Sequence, residues 1–192
     1  MKKLQVTVLL LLIWSSFFAQ ATKHKATIIF KDGTELPCFA RVSGDNIRYV
    51  KENKRDAEIV VNEEEVKGVK IWLNDNLIQL FYKKEQGKGR MRLMELANDG
   101  KMKIYRISDV YGHNIGFDTN KAYFKRKSAS TVYFLESKSN PEEVFRFRDD
   151  FIKNAKDHFS DCTILTNKIG KDGFRKKDLM DMVIFYNDNC AK

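Results

Sequence analysis

The spacing of apolar residues changes once along this chain. Between residue 25 and about residue 136 they recur at every second position in short runs. Beyond about residue 149 they recur at intervals of three and four. The first regime predicts strands. Ala26, Ile28 and Phe30 share one face of a run at 25–30, and Lys31-Asp32-Gly33-Thr34 is a hairpin turn. Leu36, Cys38, Ala40 and Val42 share one face of the next run, which ends at Ser43-Gly44-Asp45-Asn46. Further runs at 47–51, 57–61 and 66–73 are interrupted by a polar stretch at 52–56. Asn74-Asp75-Asn76 marks a turn before a run at 77–82. After Glu85-Gln86-Gly87-Lys88-Gly89, runs at 90–96, 101–107, 122–125 and 131–136 form a second strand group. Asn98-Asp99-Gly100 is a turn within it and 111–120 a surface loop.

The crossover to helix is contested at one place. Asn140-Pro141-Glu142-Glu143 carries the signals of a helix start, yet Phe145-Arg146-Phe147-Arg148 alternates like a strand. We read it as a hairpin partner for 131–136, with the first helix beginning near Asp149. Phe151, Ile152, Ala155 and Phe159 form that helix's apolar stripe. Asp161 is placed to cap a short helix over 162–169 that Gly170 ends. Lys171-Asp172-Gly173 is a turn, and a last helix at 176–186 presents Leu179, Met182, Val183 and Tyr186. The expected fold is α+β: antiparallel sheet or a small barrel, followed by about three helices. The strand-and-turn order of the first part is also similar to that of small SH3-like or Sm-like barrels. The β-rich part covers 22–147, with a subdivision offered near 83–89, and the helical part covers 148–192.

The first twenty-one residues stand apart. Lys2 and Lys3 precede an apolar run from Val6 to Trp14, and Ala19-Gln20-Ala21 has the small-x-small form of a cleavage site. The run is about half the ~20 residues that span a bilayer, so a cleaved signal peptide is the expectation. No cysteine stands just after the run to carry a lipid, the first being Cys38, and no later stretch reads as a membrane span. Cleavage leaves about 171 residues and lowers the formal net charge from +9 to +7. Two prolines argue against disorder, and fourteen Phe with seven Tyr are ample for a core. Export also gives meaning to three cysteines, an odd number. Cys38 sits on a strand's apolar face and reads as a small buried residue. If the last two helices pack antiparallel, Cys162 at the start of one approaches Cys190 just past the end of the other. The expected disulfide closes a loop of about 28 residues.

Motif chemistry is sparse. The chain has no C-x-x-C, H-E-x-x-H, phosphate loop or G-x-S-x-G elbow. His24, His113 and His158 are far apart; His24 reads as solvated, His158 as the edge of the helical stripe, and His113 lies in a loop. Glu63-Glu64-Glu65 reads as a solvated turn, and Asp149-Asp150 as complementing a helix N-terminus. No catalytic residue, metal or cofactor is therefore expected. Basic residues are denser. Lys83, Lys84, Arg90, Arg92, Lys101, Lys103, Arg106, Lys125, Arg126 and Lys127 form a candidate surface for an anionic ligand, with Tyr105, Tyr123 and Phe124 interleaved. For an exported chain, an anionic envelope polymer or lipid head group fits better than nucleic acid.

Phe159-Ser160-Asp161-Cys162, then a short helix, then 178–187 and Cys190, resembles the tail of exported uncharacterised proteins of Bacteroidota. Gln20 after Ala19 and the Lys-Asp-Gly-Thr hairpin agree with that resemblance. It implies a periplasmic or secreted envelope protein of a Gram-negative bacterium and carries over no catalytic residue. It also agrees with the Cys162–Cys190 pairing. The leading expectation is a non-catalytic interaction or structural module with an envelope partner. The alternatives are a basic face binding anionic envelope material and an undetected hydrolase.

Overall fold

A computed structural model describes residues 23–73, 75–108, 131–147, 149–170 and 174–190. The leader, the 111–120 loop with His113, the 122–125 run, Lys125, Arg126, Lys127 and the 171–173 turn lie outside the described residues. The first half contains β1 (His24–Phe30), β2 (Glu35–Ser43), β3 (Asn46–Val50), β4 (Ile59–Val60) and β5 (Val66–Leu73). The second contains β6 (Asn76–Glu85), β7 (Met91–Asn98), β8 (Ile104–Ser108), β9 (Thr131–Glu136) and β10 (Glu143–Phe145). Three helices follow: α1 (Phe151–His158), α2 (Thr163–Lys168) and, after a 3₁₀ turn at Lys176–Asp178, α3 (Leu179–Asn189). The fold is α+β, mostly sheet with a helical C-terminal part.

All ten described strands belong to one sheet, in the order β10-β9-β8-β7-β6-β5-β1-β2-β3-β4. Each neighbour in that order pairs antiparallel. β10 also pairs with β6, and that pair is parallel. Strands β6 to β10 therefore close into a five-stranded barrel, while β1 to β5 extend from it as an open sheet. The expectation of antiparallel sheet or small barrel is met by both, but the parallel seam makes the sheet mixed. The closure follows from the length of β6. Residues Asn76 to Phe81 pair with β5, and beyond them Lys84 and Glu85 turn the same edge to β10.

The rolled sheet buries different faces in different places. Ala26, Ile28, Cys38, Val42, Ile47, Ile71, Leu80 and Tyr82 form the core of the open half. Phe81, Met94, Tyr105, Phe134 and Val144 fill the barrel. β6 contributes Leu80 and Tyr82 to one core and Phe81 to the other, so alternation breaks down there. Gly68 of β5 stands opposite Phe81, and a Cβ at Gly68 would lie 2.2 Å from the Leu80 carbonyl oxygen. Only glycine lets the two strands approach so closely where the sheet coils. A third core joins the outer barrel face to the helices, with Ile104 and Leu135 against Ala155, Phe159, Leu165, Met182 and Val183.

Several local expectations shift. The predicted strand at 57–61 shrinks to Ile59–Val60, which lies at the sheet edge with both side chains exposed. Residues 143–145 do pair with β9, but the alternating Arg146 and Phe147 follow the strand rather than belong to it. Ile152 is exposed, and His158 joins Phe151, Ala155 and Phe159 at the packed face of α1. Cys162 rather than Asp161 is the cap residue of α2, and no side chain caps that helix. The Asp161 carboxylate instead accepts hydrogen bonds from Tyr186 Oη at 2.7 Å and Lys138 Nζ at 3.3 Å. Gly170 ends α2 with a left-handed φ of 81°, as its position predicted.

Cys162 and Cys190 form a disulfide, with their Cα atoms 5.6 Å apart. Cys38 is buried and free, and desolvation raises its thiol pKa to about 11. Replacing both Cys162 and Cys190 by Ser should therefore lower the unfolding free energy in urea by about 3–4 kcal/mol. Cys38 in the folded protein should resist alkylation at pH 7.5. Unfolding curves that coincide with and without the disulfide would refute its structural weight.

Candidate functional site

An open cleft of about 650 Å³ lies where the barrel seam meets the first helix. It exists because β10 stops at Phe145 and the chain must reverse before α1. Asp150 makes the reversal with a left-handed backbone, φ 45° and ψ 46°. Asn154 Nδ2 then donates to the Asp149 carbonyl at 2.7 Å and holds the corner. Glu85, Phe145, Phe147 and His158 form the floor of the cleft. Gln86, Arg146, Asp149, Asn154 and Asp157 form its exposed rim.

The floor is a cluster of rings around one acid. Phe145 meets Phe147 edge-on at 5.4 Å and His158 at 4.8 Å. His158 Nε2 lies 3.5 Å from Met102 Sδ. Burial, assisted by the nearby Lys138 charge, drives the His158 pKa down to about 4, with Asp161 opposing. The imidazole is therefore neutral at pH 7. Glu85 is buried, and Arg146 Nε stands 3.8 Å from its Oε1. The cleft thus combines three carboxylates, one arginine already facing an acid, two side-chain amides and aromatic edges. Such a surface complements hydrogen-bond donors and cations.

Seven of the ten predicted basic residues are described, and one of them, Lys83, is buried. Lys84 and Lys101 are exposed. Arg90 is largely exposed, with Nη2 3.6 Å from Asp45. Lys103 pairs with Asp99 at 3.3 Å, and Arg106 is engaged by Glu95 on the facing strand. Lys83 is only 6% exposed and points into the barrel, so it is no part of a surface. Its Nζ donates to Glu136 Oε2 at 2.8 Å and to the Pro141 carbonyl, and it stands 4.7 Å from the Tyr105 ring centre. Tyr105 Oη donates to the same Glu136 oxygen at 2.7 Å. Burial lowers the Lys83 pKa against the pull of Glu136. Burial and the bond to Glu136 raise that of Tyr105. Of the histidines, His24 is half-buried at the start of β1 rather than solvated.

The cleft was missed by sequence reading because its residues come from three separate segments. The one local signal was the ring alternation Phe145-Arg146-Phe147 directly before a helix containing His158. Among the described residues no group of three His, Cys, Asp or Glu is placed to hold a metal ion, and no helix is long and apolar enough to cross a membrane. Comparison with protein-family models, with curated proteins and with solved structures finds no match for this chain.

Two predictions follow from this geometry. Lys83→Met alone should destabilise by about 3–5 kcal/mol, because it leaves the half-buried Glu136 side chain without its cation. Adding Glu136→Leu should recover most of that loss, and a double variant as unstable as the single one would refute the pairing. For His158, the folded pKa near 4 lies below the ordinary imidazole value of 6.5. Its contribution to stability is then full above about pH 6.5 and is lost as pH falls toward 4. Comparison of wild type with His158→Phe between pH 7 and 4.5 should show about 2 kcal/mol of extra acid loss in the wild type. Parallel pH profiles would count against a buried neutral imidazole.

Proposed function

We propose that this chain is an exported, non-catalytic interaction module of a Gram-negative envelope whose cleft receives a basic segment of a partner protein. The observation that carries the reading is the acid-lined cleft itself in a chain whose formal net charge is +9. Glu85 on the floor and Asp149 and Asp157 on the rim outnumber Arg146, which already faces Glu85. A lysine or arginine side chain entering there meets carboxylates and the edges of Phe145 and Phe147 in a single concavity. The leader pattern and the Cys162–Cys190 disulfide support export. The resemblance of the C-terminal segment to exported proteins of Bacteroidota supports the envelope. His158 supports a non-catalytic role, since its contacts are rings and a thioether.

A lysine-rich and a glutamate-rich decapeptide, both fluorescein-labelled, separate this reading from charge alone. The lysine-rich peptide should bind the mature protein at low salt, and Asp149→Asn with Asp157→Asn should weaken it at least about tenfold, or 1.4 kcal/mol. Preferential binding of the glutamate-rich peptide would overturn it. Export is read by mass in a Gram-negative host: the periplasmic protein should lack 19 or 21 residues, and an intact cytoplasmic chain would overturn that half.

A further inference from the structure

Arg92 is placed where a cation should not be comfortable. It pairs across strands with Lys83, just as Met94 pairs with Phe81 two residues along. Met94 and Phe81 belong to the barrel core, so by the pleat both cations share the inward face. Like charges directly opposite on one face repel. Lys83 is relieved by Glu136 and the Pro141 carbonyl. Glu136 Oε2 in turn already accepts from both Lys83 and Tyr105. Arg92 is half-buried, and its Nε is shut off from solvent with no hydrogen-bond partner. The contrast with comparable residues is sharp. Among the described half-buried arginines, Arg41 is held by Glu58 and Arg106 by Glu95. Leaving a desolvated guanidinium nitrogen unsatisfied is costly, and native structures rarely tolerate it without a ligand, ion or water.

We infer that Arg92 anchors a phosphate-binding site at the end of the barrel beside the β6–β7 turn. The guanidinium fork matches a phosphate oxygen pair and would give Nε its acceptor. Lys83 adds attraction without giving up its own bonds, because it sits opposite on the same face. The anion would also cancel the Lys83–Arg92 repulsion. This site is separate from the acid-lined cleft, and neither depends on the other. It gives the anionic-ligand expectation a specific anchor in place of a diffuse basic surface. The phosphate could belong to a small free ester or to a lipid head group.

Thermal unfolding of the mature protein at fixed ionic strength distinguishes these cases. Inorganic phosphate should raise the midpoint of the wild type in a saturable manner, whereas chloride should not. Arg92→Met should weaken phosphate at least about tenfold, while Arg175→Met, at an exposed arginine, should leave it unchanged. Without phosphate, Arg92→Met should melt no lower than the wild type, because it removes an unpaired charge. Equal phosphate stabilisation of wild type and Arg92→Met would overturn the site. So would a large loss of stability in Arg92→Met without phosphate, since it would mark a purely structural cation. Arg92-dependent binding to phosphatidylglycerol vesicles, absent with phosphatidylcholine, would identify a lipid source. Arg92-dependent phosphate binding without vesicle binding would identify a small ester.

Discussion

One edge of β6 serves two strands in succession. β5 takes residues 76–81, and β10 takes Lys84 and Glu85. Between them lies Lys83, whose ammonium reaches the carbonyl of Pro141 just ahead of β10 and the carboxylate of Glu136 on β9. The barrel closes through that junction. Two residues of parallel pairing form a short seam, so side-chain bonds from Lys83 reinforce it. The helices depend on the same closure, because their core packs on the outer faces of β8 and β9. The cleft depends on it too, since Glu85 ends β6 and Phe145 ends β10.

What could be read from the residues follows from how each strand is buried. Val66–Leu73 and Thr131–Glu136 coincide with their predicted bounds, because turns or a clean change of polarity delimit them. β6 and β7 run longer than predicted at one end or both. Their consecutive apolar residues, Leu80 to Tyr82 and Leu93 to Met94, face two cores and blur the period. The parallel seam left no trace in the pattern, as two paired residues have no periodicity. Lys83 was misread for a related reason: a charged residue on an inward face looks in sequence like a solvent-facing one. The helical capping signal at Asp161 was real chemistry with another use, as the carboxylate bonds Tyr186 and Lys138. The disulfide was legible because helix order and spacing alone bring Cys162 toward Cys190.

Several of the described cations stand beside an acid. Acids are distributed as anchors among the cations. Glu58 takes Arg41 in a two-bond fork and also faces Lys23 and Arg48. The Arg41 hydrogen bonds hold the Glu58 carboxyl below its ordinary pKa. In the second half Glu95 faces Arg106 and Glu136 faces Lys83. Such pairs stabilise modestly where exposed, but they fix geometry across strands.

The three residues of β10 also set an order of events. A chain emerging from the ribosome presents β6 long before it presents residues 143–145, and until then β6 has no closing partner. Glu136 and Pro141, which hold Lys83, arrive hardly sooner. The barrel half therefore stays open and its charged interior hydrated until β10 has been made. β1, β2 and β3, joined by short turns, can meanwhile form from neighbouring residues alone. A barrel that needs residues 143–145 to shut cannot trap its charged interior until the strand that seals it has been made.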